Sequence, residues 1–218
     1  MKNKIMIVGS GAREHALALS YLEDTNVSQV LVTPGNDGMV EDTINLKHLN
    51  ITINKSSSLK NPDSFLAVAR EYKPDLVDVA QDDALAAGTV DLLQRNGFNV
   101  FGPSKLASQI EWDKQWSRDF MTRHGIPIPE YMSFTSMEDG LKYGIEQIKL
   151  RRGVFFKAAG LYAGKGVIPA FNEEEANRAI SEIGKMGEAS KVFLVEEAIK
   201  GEEFSYYAIV DGQNFKCF

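Results

Sequence analysis

The sequence predicts an α/β fold that begins with a doubly wound parallel sheet and continues into a smaller α+β unit. Short apolar runs alternate with helical patterns over the first hundred residues, which is typical of a parallel sheet covered by helices on both faces. A glycine turn, Gly9-Ser10-Gly11, separates the first apolar run from the first helical pattern. The pattern changes after His124-Gly125-Ile126-Pro127-Ile128-Pro129, whose prolines end a helix and mark a domain boundary.

The first part of the chain is predicted to alternate strands and helices. The strands are residues 5–8, 29–33, 75–80 and 99–101, and the helices are residues 14–21, 62–72 and 84–96. Parallel sheets bind ligands at the carboxyl ends of their strands. The loops that follow those ends are residues 9–11, 34–38, 81–83 and 102–104. We expect these loops to form the rim of one cleft.

The second part changes to a mixed pattern. Residues 105–123 read as one or two helices, whose Trp112, Trp116 and Phe120 are interpreted as core or interdomain packing. Beyond the boundary, strands are predicted at 131–134, 154–158, 166–170 and 191–196. Helices are predicted at 136–149, capped by Ser136, and at 172–186, also with a cap at its start. Residues 204–210 and 214–218 are expected to pair as a hairpin across Asp211-Gly212, a strong turn signal.

The composition of the chain argues against several kinds of binding partner. The 218 residues carry a net charge of −6 and no long basic run, which argues against nucleic acid as the main partner. Cys217 is the one cysteine, so neither a disulfide framework nor a cysteine metal site is expected. No apolar run approaches the length of a membrane span. We expect a cytoplasmic monomer that acts on small molecules and does not bind membranes.

The glycine turn half-matches the dinucleotide-binding fingerprint. Gly9 and Gly11 fit, but Glu14 replaces the third glycine, and the acid expected about twenty residues further on is absent from Leu31-Val32-Thr33-Pro34. Backbone N–H groups at a helix N-terminus favour an anion. We therefore predict a phosphate-binding turn that is not for NAD, with Arg13, Glu14 and His15 at its mouth. A plain turn between strand and helix remains the alternative.

Two later segments suggest a nucleotide site. Lys157 ends a strand and precedes a loop with Gly164-Lys165-Gly166, whose glycines and lysine suit phosphate oxygens, although the P-loop spacing fails. The apolar strand before Glu196 is followed by an acidic stretch that ends near Glu203. A hinge between two lobes could bind an adenine edge with its backbone there, and the ribose hydroxyls with a carboxylate. A mobile surface turn and a solvated acidic turn are the respective alternatives.

Taken together, these motifs resemble the ATP-grasp enzymes, and within them the phosphoribosylamine–glycine ligase family. The resemblance rests on Gly-x-Gly-x-Arg-Glu-His-Ala, Pro-Gly-Asn-x-Gly, Phe-Gly-Pro and the Lys157 segment, in order over the whole chain. It implies a pre-ATP-grasp substrate domain at 1–103, linking helices at 104–124, the small ATP-grasp lobe at 125–195, and a hinge with the first strands of the larger lobe at 196–218.

The resemblance also implies an activity. Members join glycine to 5-phosphoribosylamine with ATP and magnesium, through a glycyl phosphate, in purine synthesis; neutralisation of the transferred phosphoryl group does most of the work. The residues implied for the phosphoribosylamine site are Gly9, Gly11, Arg13, Glu14, His15, Pro34, Gly35, Asn36 and Asp82. Those implied for the nucleotide are Lys114, Lys157, Gly164, Lys165, Gly166, Glu196, Glu197, Ala198, Ile199 and Glu203. No catalytic side chain or metal ligand is assigned.

The chain departs from the family pattern in several places. Asp82 stands where the third loop of the family has Glu, and Ala159 replaces an Asp, so we expect the nearby lysines to lack an acidic partner. The hinge aromatic is replaced by Ala198. The family's magnesium ligands are expected beyond Phe218, so these residues by themselves should lack ligase turnover. The alternatives are another ATP-grasp carboxylate–amine ligase, or a non-catalytic relic that binds a sugar phosphate or nucleotide.

Overall fold

A computed structural model describes residues 2–40, 51–150, 153–162 and 164–217 of the chain. Its first sheet has five parallel strands in the order β3-β2-β1-β4-β5. The strands are β1 (Asn3–Gly9), β2 (Val27–Pro34), β3 (Ile51–Ile53), β4 (Leu76–Val79) and β5 (Val100–Phe101). The order places β1 at the centre with successive strands on either side, which is the doubly wound arrangement that the sequence predicts. β3 was not predicted, because three residues are too few to show a periodic pattern.

Helices cover both faces of this sheet. They are α1 (Ala12–Glu23), α2 (Pro62–Tyr72), α3 (Asp82–Ala87) and α4 (Thr89–Arg95). Alternate residues of β1 enter two different apolar clusters: Met6 and Val8 pack with the side chains of α2 and α4, whereas Ile5 and Ile7 pack with Ala18 of α1. The strand is therefore buried on both sides, as a central parallel strand should be.

The helix predicted at 84–96 is two helices. Gly88 ends α3 with φ +90°, in the left-handed region, and α4 begins at the next residue. An extended residue, Asp113, divides 105–123 into α5 (Gln109–Trp112) and α6 (Lys114–Arg123), and caps α6 by accepting from the Trp116 N–H. Trp116 and Phe120 stack along α6 with ring centroids 5.1 Å apart.

The second sheet has four antiparallel strands in the order β6-β9-β7-β8. They are β6 (Tyr131–Phe134), β7 (Val154–Ala158), β8 (Val167–Ala170) and β9 (Phe193–Glu197). Helices α7 (Met137–Lys149) and α8 (Glu173–Gly184) pack on it around Phe156, Ile183 and Phe193. The caps predicted for these helices are present, because Ser136 accepts from Asp139 N–H and Asn172 from Glu175 N–H. A short 3₁₀ helix, Gly187–Ser190, precedes β9.

The predicted C-terminal hairpin is formed by β10 (Ala208–Val210) and β11 (Phe215–Cys217). Both strands are shorter than the pattern suggests, and Phe218, the last residue of the predicted second strand, lies outside the described residues. In the part of the chain that the structure describes, no helix combines the length and apolarity needed to cross a membrane.

Candidate functional site

The glycine turn is shaped by Glu14. β1 ends at Gly9, whose φ of +147° favours glycine, and α1 begins after Gly11. The Gly11 N–H donates to Glu14 Oε2 at 2.6 Å, and a Cβ built on Gly9 would lie 2.5 Å from Glu14 Cγ. Glu14 is only 1% exposed. Its carboxylate therefore supports the turn from within, where Gly9 is buried and Gly11, Ala12 and Arg13 are exposed.

Two of the predicted rim loops contact each other at the carboxyl end of the sheet, and Arg13 of α1 reaches a third. The Gly35 N–H donates to the Gly9 carbonyl at 2.9 Å, and Asn36 Nδ2 donates to the Ser10 carbonyl at 2.7 Å. On the other side, Arg13 Nη1 donates to the Ala80 carbonyl at 2.9 Å and lies 3.8 Å from Asp82 Oδ1. The structure thus brings together the substrate residues that the resemblance implies, with His15 and Pro34 half-buried beside them. That they bind substrate stays a prediction.

A buried acid that was not predicted from the sequence lies beneath this rim. Asp78 is on β4, is 3% exposed, and accepts a hydrogen bond from the Tyr21 hydroxyl at 2.8 Å. Burial raises the pKa of Asp78, the Tyr21 hydrogen bond opposes that rise, and the Glu14 charge adds to it. Burial, and then the nearby Asp78, raise the pKa of Tyr21. The sequence could have indicated Asp78, because it is a charged residue within the apolar strand 76–79.

The candidate nucleotide site centres on a buried carboxylate. Glu196 on β9 is 3% exposed; its Oε2 accepts from Arg118 Nε at 2.7 Å, and its Oε1 forms an ion pair with Lys157 Nζ on β7. Burial on its own would raise the pKa of Glu196, but the hydrogen bonds and charges of Arg118 and Lys157 outweigh burial, so the pKa is lowered. The carboxylate is therefore ionised and shared by two cations.

Lys114 joins these cations at the start of α6. Its backbone N–H donates to the Ala159 carbonyl at 2.9 Å, which ties α6 to the end of β7. Burial, and then the charges of Lys157 and Arg118, lower the pKa of Lys114, while Glu111 and Asp113 oppose the change. Two cations thus hold one buried carboxylate, and Lys114 lies near those two cations, which makes this a place suited to an anion.

The expectation that the lysines here lack an acidic partner was wrong for Lys157, because Glu196 supplies the carboxylate that Ala159 does not. Arg118 was missed altogether. The sequence could have predicted it from spacing, because Arg118 follows Lys114 by four residues and residues four apart on a helix lie on the same face.

The glycine loop and the hinge adjoin this cluster. Within the loop, Gly164 has φ +74° and the Lys165 N–H donates to the Tyr162 carbonyl at 2.9 Å. The Gly166 carbonyl accepts from the Ala158 N–H at 2.8 Å, so pairing with β7 begins at the end of the loop, just before β8. Lys165 is exposed.

At the hinge, the N–H groups of Glu197 and Ala198 donate to Glu130 and Gly153, which extends the sheet. Ile199 and Glu203 follow in exposed, irregular chain.

One groove in the described part of the chain is lined by none of the residues predicted for either site. It has a volume of about 540 Å³, between α4 and the segment that leads into α5, and Asp91, Arg95, Lys105 and Trp112 are among its lining residues.

Comparison with known proteins gives the same family for both parts of the chain. Residues 3–111 match the N domain of phosphoribosylglycinamide synthetase, and residues 112–218 match its ATP-grasp (A) domain. The phosphoribosylamine–glycine ligase of Streptococcus suis is 41% identical over 215 residues, which cover 97% of this chain and 49% of that protein. The chain therefore spans about half the length of the relatives that it matches.

Solved structures agree. The phosphoribosylamine–glycine ligase of Thermotoga maritima superposes with a TM-score of 0.70 at 26% identity, over 98% of this chain and 48% of that one. The biotin carboxylase domain of 2-oxoglutarate carboxylase from Hydrogenobacter thermophilus, solved with MgADP, ADP and bicarbonate, gives a TM-score of 0.65 at 17% identity, over 92% of this chain and 45% of that one. The second likeness shows the fold alone.

Proposed function

The chain belongs to the phosphoribosylglycinamide synthetase family, and we propose that it supplies the sugar-phosphate site and half of the ATP site of a phosphoribosylamine–glycine ligase. In that reaction a glycine carboxylate oxygen attacks the γ-phosphorus of ATP, and ADP leaves. The amine of 5-phosphoribosylamine then attacks the carbonyl carbon of glycyl phosphate. Phosphate leaves, the nitrogen loses a proton, and glycinamide ribonucleotide forms.

One observation carries the proposal: the N domain and the ATP-grasp domain of a single enzyme match this chain in succession, with no residue between them. A sugar-phosphate site alone or a nucleotide site alone would fit many functions. The two in this order favour a ligase over a simple binding module. The further division at residues 103, 124 and 195 is part of the proposal.

For the sugar phosphate, we assign the rim at the carboxyl end of the first sheet. Gly11 presents exposed backbone where a phosphate can approach closely, Gly9 is buried behind it and shapes the turn, and Arg13 supplies a positive charge on the exposed side. Asn36 is held by Ser10 and so adds a fixed polar group from the neighbouring loop. The Glu14 carboxylate, which accepts from Gly11, keeps the turn in shape for that approach.

For ATP, we assign the cluster of Lys114 and Lys157 to the phosphates, with the Gly164–Lys165–Gly166 loop over them. Positive charge held in a partly buried site stabilises a transferring phosphoryl group more than it would in water. The adenine edge would meet the hinge at Ile199, because the preceding N–H groups of Glu197 and Ala198 are used within the sheet. Glu203 is assigned to the ribose hydroxyls.

Magnesium is expected wherever ATP is the phosphoryl donor. Residues 2–40, 51–150, 153–162 and 164–217 contain no group of three or more His, Cys, Asp or Glu side chains placed to hold a metal ion. These residues do not fit a complete magnesium site, so no step is assigned to a metal here. A cytoplasmic, monomeric enzyme that acts on small molecules is the setting we propose.

The experiment supplies purified full-length protein with ATP, glycine and freshly formed phosphoribosylamine, and measures ADP and glycinamide ribonucleotide. We expect ADP release that depends on both co-substrates, and its loss in Lys157→Met. Lys185→Met is the matched control, because Lys185 forms an exposed ion pair with Glu182. Binding of glycinamide ribonucleotide without turnover would instead identify a non-catalytic binding protein, and ADP release with a different carboxylate would identify another ligase.

A further inference from the structure

Arg118 has no role among the residues that the resemblance implies, yet it is one of two cations on the buried Glu196 carboxylate. Arg118 Nε donates to Oε2 at 2.7 Å, while Lys157 holds Oε1. The side chains of Arg118 and Lys157 are 21% and 16% exposed. The whole group is therefore shielded from water, and charges within it interact strongly.

The balance of charge in this group decides what Lys157 can do. With Glu196 as its one partner, the Lys157 charge would be cancelled within a shielded pair, and an arriving phosphate would have to displace the carboxylate. Arg118 adds a second positive charge to the same carboxylate. Arg118 and Lys157 against Glu196 leave a surplus of one positive charge beside the phosphate loop. Lys114 lies near both cations, and its own charge is offset by the neighbouring acids Glu111 and Asp113.

The fold holds Arg118 in that position. α6 is anchored at its start by the Asp113 cap and by the Lys114 N–H bond to Ala159, and Arg118 lies one turn later. Arg118 Nη1 also lies 3.8 Å from Met121 Sδ, on the next turn. A guanidinium is always charged and is preorganised for a carboxylate, which suits a fixed counter-ion better than a flexible ammonium.

We propose that Arg118 is a positioning residue of the nucleotide site: it neutralises Glu196, so that the charge of Lys157 stays available to the phosphates of ATP. This inference rests on the proposed ATP site. It predicts that Arg118 affects ATP affinity without touching ATP, and that it does so through one carboxylate.

The test measures the affinity for a non-hydrolysable ATP analogue by calorimetry in the full-length protein. Arg118→Gln should weaken binding about tenfold, and Arg118→Lys should restore most of it. Arg123→Gln is the matched control, because Arg123 is exposed on the last turn of the same helix. In kinetics, the KM for ATP should rise in Arg118→Gln while the KM values for glycine and phosphoribosylamine stay unchanged. Equal binding by Arg118→Gln and wild type would overturn the inference.

The carboxylate gives a second test that does not depend on the Arg118→Gln variant. Glu196→Gln should bind the analogue at least as tightly as wild type, because no negative charge is left to neutralise. Adding Arg118→Gln to Glu196→Gln should then change affinity less than twofold. A tenfold loss in Glu196→Gln, or the same loss from Arg118→Gln in both backgrounds, would show that Arg118 acts in another way. Failure of wild type to bind any ATP analogue would count against the proposed function itself.

Discussion

The Glu14 side chain occupies the space next to Gly9 that a Cβ would need. Gly9 ends the central strand of the first sheet with φ +147°, and Glu14 turns back from the first turn of α1 to accept from the Gly11 N–H. In the dinucleotide fingerprint a third glycine allows helix and strand to approach at this point. Here a carboxylate fills the space instead, which explains why the motif keeps its first two glycines and loses the third.

Gly9→Ala should therefore lower the free energy of unfolding by about 3 kcal/mol, since the new methyl group meets the Glu14 carboxylate and the positive φ disfavours an L side chain. Gly97→Ala separates these two causes. Gly97 has φ +83° but nothing within 4 Å of a built Cβ, so about 1 kcal/mol is expected there. Urea denaturation measures both. Equal losses would show that the contact with Glu14 does not matter.

Asp78→Asn should stabilise the protein at pH 7. Burial, and then the Glu14 charge, raise the pKa of Asp78 above its usual 3.8, although the Tyr21 hydrogen bond opposes the rise. A carboxyl with a raised pKa in the folded state costs stability that grows as pH rises from 3.8 to the folded-state pKa, is constant above it, and disappears below 3.8.

We expect Asn to gain about 1 kcal/mol at pH 7, because it can still accept from Tyr21, and the gain should shrink in acid. Asp37→Asn, at an exposed ion pair with Lys55, should change stability by less than about 0.5 kcal/mol. Urea denaturation at pH 7 and pH 4 compares them. A loss of stability in Asp78→Asn at pH 7 would contradict the expected cost of the buried charge.

Glu196→Gln should show the opposite dependence on pH. Burial favours the neutral form, but Arg118 and Lys157 lower the pKa of Glu196 below its usual 4.5. A lowered pKa gives stability that is fully present above 4.5 and is lost as pH falls through the folded-state value. The substitution should cost about 2 kcal/mol at pH 7 and progressively less in acid.

Denaturation at pH 7 and at several acidic values gives the comparison for Glu196. Glu182→Gln, at an exposed pair with Lys185, is the control and should cost little at any pH. A cost that stays constant down to the acid transition would mean that the ionised carboxylate is not what stabilises the fold.

Lys114→Arg should extend ATP binding to higher pH. Burial, and then the charges of Lys157 and Arg118, lower the pKa of Lys114 from its usual 10.5, so this lysine loses its proton earlier than a surface lysine does. Wild-type affinity should fall up to roughly tenfold for each pH unit above that pKa. Arginine stays charged and should hold affinity steady there.

Calorimetry between pH 7 and pH 10 tests the role of Lys114. The control is Lys191→Arg, which lies at an exposed pair with Glu188 and should keep the wild-type profile. Parallel profiles for wild type and Lys114→Arg would exclude Lys114 as the titrating group.

Local patterns in the chain were enough for most of the secondary structure. The strand β7 (Val154–Ala158), the helix α2 (Pro62–Tyr72) and the caps at Ser136 and Asn172 lie where alternation, periodicity and capping chemistry place them. β3 and the break at Gly88 were not predicted, because a three-residue strand and a single left-handed glycine leave little periodic signal.

The sequence by itself determined the α/β class, the doubly wound first sheet and the resemblance that led to the family, since all three depend on motifs read over short stretches. The tertiary structure alone decided which side chains meet. Glu196 lies 78 residues from Arg118 and 39 from Lys157, and Asp78 lies 57 from Tyr21. The register of the strands and the packing of α1 and α6 bring these groups together. Burial then gives each carboxylate a pKa that no local pattern contains.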